Sequence, residues 1–293
     1  MEYGYYPGCS LHGTAKEFDQ SIRVIFKGMG IELKEVPDWN CCGASSGHAT
    51  NEELALALAV RVLSQAEQAN MKSIIAPCAA CYSRLKLAHK TVLHDAKLHE
   101  RINKIIGQDY KGEVAVKHIV EVLKENKDAL VASIVKPLKG LKVVSYYGCL
   151  LARPKEVVDF DDAENPVVMD EIVTALGAEA VDWSHKTECC GAGFSFSRGD
   201  ITLRLVGTIL DAAKQASADV IAVACPLCHA NLDMRQASAG KKAEKHYNLP
   251  IIYISQLVGL AQGKDARSLG LDKHIVDTTK ALAKIQKEPA ASR

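Results

Sequence analysis

The placement of the cysteines constrains this chain more than any other feature. Cys9, Cys41, Cys42, Cys78 and Cys81 follow C-x(31)-CC-x(35)-C-x(2)-C, and Cys149, Cys189, Cys190, Cys225 and Cys228 follow C-x(39)-CC-x(34)-C-x(2)-C. All 10 cysteines fall in these two sets. Their flanks repeat as well: YYPGC at 5–9 answers YYGC at 146–149, NCCGASSGH at 40–48 answers ECCGAGFSF at 188–196, and IIAPCAACYSRL at 74–85 answers IAVACPLCHANL at 221–232. Asp38-Trp39 precedes the first pair and Asp182-Trp183 the second, and HIVEVL at 118–123 matches ISQLVGL at 254–260 in pattern. Self-similarity on this scale marks a duplicated unit. We expect two homologous halves, 1–140 and 141–265, followed by a polar tail at 266–293.

Within each half, short β-branched runs alternate with helical periodicity. A strand (EYGYY; KVVSYY) runs into the first cysteine, and an amphipathic helix follows at roughly 15–29 and 166–177. A second strand (IELKEV; AEAVDW) leads to the pair, a long apolar helix follows at 52–70 and 200–216, and SIIA or DVIAVA delivers the C-x(2)-C. This alternation predicts an α/β fold of two tandem Rossmann-like βαβ halves with parallel sheets, related by a pseudo-two-fold repeat. Thr50-x-x-Glu53 and Ser197-x-x-Asp200 have the form of capping boxes, which would set each pair just before a helix N-terminus. In open α/β sheets ligands gather at the carboxyl ends of the strands, so the five cysteines of each half should converge on one point.

Composition excludes several classes. The 36 basic and 35 acidic residues leave a net charge of +1 and no field suited to nucleic acid. The N-terminus lacks the pattern of a secretory signal, and no apolar run reaches the ~18–20 residues that span a bilayer. We expect a cytoplasmic chain with no membrane span. There, cysteines in this number point to metal or redox chemistry rather than to structural disulfides.

Each reading of five convergent thiols has a distinct cost. Disulfides within a half leave one thiol over, and adjacent cysteines bridge each other only with strain. Structural zinc takes four ligands and leaves a fifth spare, although zinc in one half stays open as an alternative. A reactive dithiol at Cys78/Cys81 or Cys225/Cys228 leaves three cysteines of each half unexplained. An iron–sulfur cluster suits soft thiolates, with five ligands implying an unusual cluster or one ligand that exchanges. The ferredoxin run C-x(2)-C-x(2)-C-x(3)-C-P is absent, and GAGFSFSRG at 191–199 lacks the third glycine of a dinucleotide fingerprint.

The repeated Cys41-Cys42-Gly43 and Cys189-Cys190-Gly191, each with an upstream cysteine and a downstream C-x(2)-C, resemble the cysteine-rich CCG domain. Two copies over nearly the whole chain resemble the B subunit of heterodisulfide reductase. That resemblance implies one noncubane [4Fe-4S] cluster on Cys9, Cys41, Cys42, Cys78 and Cys81, and another on Cys149, Cys189, Cys190, Cys225 and Cys228. It also implies a disulfide oxidoreductase whose substrate, a coenzyme M–coenzyme B heterodisulfide or a related sulfur compound, lies between the clusters and gives one sulfur to each. Partners follow from it too: a C-type subunit with cubane [4Fe-4S] clusters and a flavin-containing A-type subunit, with the chain working in a hetero-oligomer. A bacterial sulfur-metabolism relative and an electron-relay module are the alternatives.

Five further residues are candidates for binding substrate or moving protons. Arg153 lies four residues after Cys149, Arg198 eight after Cys190, and Arg84 three after Cys81, while His12 and His229 adjoin cluster cysteines. His89, His94 and His99 read as a solvated face of one helix.

Overall fold

The computed structural model describes residues 1–44 and 47–285, the His48 side chain excepted. Ser45 and Ser46 of the first glycine-rich turn, and 286–293 of the expected tail, lie outside the described residues. Two sheets form. β1 (Glu2–Tyr5), β2 (Glu32–Glu35), β3 (Ser73–Ile75) and β4 (Ala115–Lys117) pair in the order β2-β1-β3-β4. β5 (Lys142–Tyr146), β6 (Glu179–Ala180), β7 (Val220–Val223) and β8 (Ile251–Tyr253) repeat it as β6-β5-β7-β8. Every pairing is parallel, with Gly4 opposite Ile74 in one sheet and Val143 opposite Val220 in the other. The α/β class and the two tandem Rossmann-like halves are therefore as the sequence predicts.

Parallel neighbours need a covered crossover, and amphipathic helices supply it. In Lys16–Gly28 the buried residues Phe18, Ile22, Ile25 and Phe26 recur at intervals of about a helical turn and form one apolar face. β7 is buried at all 4 positions, as befits a strand covered on both sides. The order places β1 and β3 side by side at the centre of the first sheet, and β5 and β7 at the centre of the second. The chain leaves β1 toward β2 and later returns to β3 on the other side, so a crevice opens at the carboxyl ends between them.

Three local expectations are corrected. The helix Glu52–Gln68 is capped by Asn51, whose Oδ1 accepts from Leu54 N at 2.9 Å, rather than by Thr50. The helix Gly199–Gln215 starts after Arg198 with no side-chain cap, because Asp200 is drawn into an ion pair with Arg198. The histidine run is a solvated face only at His94, while His89 and His99 are half-buried. One helix, Ala79–His94, ends at Asp95 and another, Ala96–Ile106, begins, so that His89 Nδ1 meets Tyr110 Oη at 2.6 Å and His99 Nε2 meets Tyr110 O at 2.7 Å.

The halves are joined through a shared interior. Phe18 of the first stacks on Tyr253 of the second, with centroids 4.1 Å apart and planes inclined by 7°. Beside them Ser21 Oγ and Ser255 Oγ are 2.7 Å apart, and Gln262 Nε2 donates to Ile25 O at 3.2 Å. The segment after 265, expected as a polar tail, instead buries Leu269, Leu271 and Val276. It crosses both halves: Gln20 Nε2 donates to Ser268 O at 2.7 Å, and Asp233 accepts from Ile275 N and Val276 N.

Candidate functional site

All 10 cysteines lie at the carboxyl ends of the strands, as free thiols. Cys9 follows β1, Cys41 and Cys42 follow β2, and Cys78 and Cys81 follow β3; the second set sits likewise after β5, β6 and β7. Each half sorts its five in the same way. Cys42, Cys78 and Cys81 are buried while Cys9 and Cys41 are exposed; Cys190, Cys225 and Cys228 are buried, Cys189 is exposed and Cys149 is half-buried. Each set thus has a sealed floor of three sulfurs and a rim of two.

The sulfurs are linked. Cys42 and Cys81 stand 3.3 Å apart, Cys190 and Cys228 3.7 Å, and Cys149 and Cys189 3.9 Å. The halves meet at the start of each C-x(2)-C: Pro77 O and Ala224 O, just before Cys78 and Cys225, lie 2.8 and 3.1 Å from the same His118 Nε2. The linked pairs Cys42–Cys81 and Cys190–Cys228 flank this junction, one in each half. The two expected points of convergence are neighbours.

The clustered thiols polarise one another. The neighbouring Cys41 and Cys81 thiols pull the Cys42 thiol down to about 3, and Cys149 and the Gly191 N–H bring Cys189 down to about 6. Cys225 is lowered by Cys228 and Cys78. The same neighbours, with burial, raise Cys41, Cys81 and Cys149. Thiolate is the form that ligates metal.

The loops are built to let these sulfurs in. Gly8 and Gly148 have φ of +65° and +67°, and a Cβ on them would stand 3.3 Å from Cys81 Sγ and 2.9 Å from Cys228 Sγ. Gly43 and Gly191, at +76° and +78°, reverse the chain after each pair and aim Gly43 N at Cys41 Sγ (3.4 Å) and Gly191 N at Cys189 Sγ (3.3 Å). Tyr6 and Tyr146 were missed as site residues. Each packs its ring against the site glycine and bonds the carbonyl before its pair, Tyr6 to Asn40 O at 2.9 Å and Tyr146 to Glu188 O at 2.6 Å. Burial and four neighbouring cysteines keep each phenol protonated. The signal was the tyrosine just upstream of the first cysteine in both halves.

The other candidates separate. Arg153, whose N–H donates to Cys149 O, extends Nη2 to Glu164 and Thr187, both at 3.0 Å, and its Nε is buried with no partner among the described residues. His12 leans on Trp39 with centroids 5.0 Å apart and meets Glu35 at 3.4 Å, beside the first rim. Arg84 is half-buried one turn after Cys81. Two placements depart from expectation. Arg198 is engaged by Asp200 through two bonds of 3.0 Å. His229 is buried facing away from the sulfurs, its Nε2 against Ile251 O at 3.2 Å and His274 Nδ1 at 3.4 Å, and burial pushes its pKa down, so it is no proton donor to a thiolate.

The residues present fit an iron–sulfur group by donor chemistry: five soft thiols per half, and glycines where a side chain would fill the cradle. No group of three or more histidine, cysteine, aspartate or glutamate side chains among the described residues is arranged for a single metal ion. No helix among them is long and apolar enough to cross a membrane.

Comparison with known proteins agrees with the geometry. The family described as a cysteine-rich domain, CCG, matches residues 3–86 and 143–233. The 8-methylmenaquinol:fumarate reductase membrane anchor subunit of Wolinella succinogenes is 34% identical over 95% of this chain and 98% of its own. The B subunit of the ferredoxin:CoB-CoM heterodisulfide reductase of Methanosarcina mazei is 32% identical over 95% of each chain. A solved structure of a hypothetical protein from Helicobacter pylori superposes with a TM-score of 0.77 at 13% identity, covering 94% of this chain and 52% of that one, which supports the fold. The chain belongs to the cysteine-rich CCG domain family, in the two-domain form shared with heterodisulfide reductase B subunits.

Proposed function

We propose that the chain is the catalytic iron–sulfur subunit of a heterodisulfide reductase-type complex and cleaves a disulfide where its two cysteine sets meet. One observation carries the reading: two pseudo-equivalent sets of five thiols lie at adjoining strand ends, and the carbonyls just before Cys78 and Cys225 meet at one His118 ring, 2.8 and 3.1 Å from its Nε2. Reducing RS–SR′ to two thiols takes two electrons and two protons. Two noncubane [4Fe-4S] clusters, on Cys9, Cys41, Cys42, Cys78 and Cys81 and on Cys149, Cys189, Cys190, Cys225 and Cys228, would supply the electrons singly, one to each sulfur.

The protein's part is placement and exclusion. The three buried cysteines of each half fix the floor, and the rim cysteines Cys9, Cys41, Cys149 and Cys189 leave the approach open. Tyr6 and Tyr146 brace the turns that carry the pairs. Arg153, four residues after Cys149, and Arg84 and His12 near the first set are the basic groups placed to attract an anionic substrate such as the coenzyme M–coenzyme B heterodisulfide. Electrons would come from a C-type subunit with cubane clusters and a flavin-containing A-type subunit. The test is anaerobic assay of the assembled complex with a reduced donor and an anionic heterodisulfide. Release of two thiols per two electrons supports the reading; donor oxidation without thiol release overturns it.

A second reading, an electron relay in a quinol-linked complex, is favoured by the 34% identity to the Wolinella succinogenes subunit. The same assay separates the two, because a relay passes electrons and releases no thiol.

A further inference from the structure

We propose that His118 is a positioning residue that clamps the two cysteine sets at a fixed separation. His118 follows β4 and caps the helix Ile119–Glu125, and its ring is fully buried. Its own N–H donates to Glu121 Oε1 at 2.8 Å, and its Nδ1 accepts from Val120 N at 3.3 Å. With Nδ1 accepting, the ring proton sits on Nε2. That Nε2–H faces two carbonyls at once, Pro77 O at 2.8 Å and Ala224 O at 3.1 Å. They belong to the residues immediately before Cys78 and Cys225. One proton on one ring therefore holds the backbone that launches the inner cysteine of each half.

The arrangement is not a generic property of this position. In the second half the residue after the fourth strand's core is Tyr253, which also pairs its N–H with the side chain three residues on, Gln256 Oε1 at 2.9 Å. Yet the Tyr253 ring lies flat between Phe18 at 4.1 Å and His229 at 4.3 Å. The clamp is made from one side only, by the one of the two residues that can accept on one edge and donate from the other. Burial lowers the His118 pKa to about 4, which keeps the ring neutral near neutral pH and its single donor in place. Resting on the two-cluster reading above, the consequence is that the span presented to one S–S bond is set outside the ligand set, by His118.

The two edges of the ring can be tested separately. His118→Asn keeps an acceptor near Nδ1 for Val120 N but does not reach Pro77 O and Ala224 O. His118→Gln reaches them with an amide N–H but does not cap the helix in the same way. In the cluster-free full-length chain, diamide oxidation followed by peptide mass mapping reads the rate of Cys78–Cys225 cross-linking against that of Cys42–Cys81 within one half. The expected result is a between-halves rate lowered about tenfold by His118→Asn and kept near the unsubstituted value by His118→Gln, since losing the donor strands two buried carbonyls. The same order is expected, in cluster-loaded protein, for the magnetic interaction between the two centres. A cap-only role would reverse it, and His118→Asn cross-linking at the unsubstituted rate would overturn the clamp. Iron content reads the functional proposal independently, because the cross-link needs no iron.

Discussion

Pro77 O and Ala224 O, which precede Cys78 and Cys225, meet at the same His118 Nε2, at 2.8 and 3.1 Å, on the boundary between the two halves where β3 and β7 end. Cys78 and Cys225 are equivalent residues of a duplicated unit, each the first cysteine of its C-x(2)-C, so this junction lies near the pseudo-two-fold relation itself. A site astride such a relation presents two similar faces to whatever lies between them. A disulfide, with two sulfurs and a need for two electrons, has matching symmetry.

Loss of one floor cysteine should disable turnover without emptying the other half. Cys42 and Cys190 occupy equivalent buried positions, 3.3 Å from Cys81 and 3.7 Å from Cys228. Cys42→Ala or Cys190→Ala is expected to abolish disulfide reduction while bound iron falls by about half, as two independent clusters would require. Iron assay and thiol release on the same sample check both statements. Turnover that survives either substitution contradicts the facing-set account.

Gly148 should be less forgiving than Gly8. Both need a left-handed backbone, but an added Cβ would stand 2.9 Å from Cys228 Sγ at Gly148 and 3.3 Å from Cys81 Sγ at Gly8. Backbone strain alone costs about 1–3 kcal/mol at such a position. Gly148→Ala is expected to lower the melting temperature and to deplete iron from the second set, with a smaller effect from Gly8→Ala. Melting and iron content of the two variants side by side test the order.

Stability should fall on mild acidification. Burial lowers His118 and His274 to about 4 from the ordinary 6.5. A depressed pKa means that the unfolded chain binds more protons between pH 6.5 and 4, so unfolding becomes easier as pH drops through that window. For fully buried His118 the full shift amounts to on the order of 3 kcal/mol. Denaturant melts from pH 7 to pH 4 should show this loss, and His118→Gln should flatten the curve. An unchanged slope in that variant would place the pH dependence elsewhere.

Much of the fold was legible because duplication doubled every signal. Cysteine spacing, alternating strand and helix runs, and the CCG turns each appeared twice. What escaped was short or tertiary. β4 and β8 are three residues each, AVK and IIY, too brief for periodicity to register. His229 looked reactive from its place beside Cys228, yet the helix Pro226–Met234 turns it into the interior against Tyr253. Arg198 looked free until the fold gave it Asp200. The tail read as polar because Leu269, Leu271 and Val276 are spread among charges, and only the packed structure shows them facing inward. His118 carried no sequence signal, since its partners are carbonyls 41 and 106 residues away.

The central claim is that each set of five cysteines holds one four-iron cluster. Iron, labile sulfide and zinc counted on anaerobically purified protein, with electron paramagnetic resonance of an oxidised, thiol-treated sample, test it directly. The account expects about eight irons and eight sulfides per chain, negligible zinc, and signals that change on adding thiol. About four irons with one zinc, or signals indifferent to thiol, would contradict it.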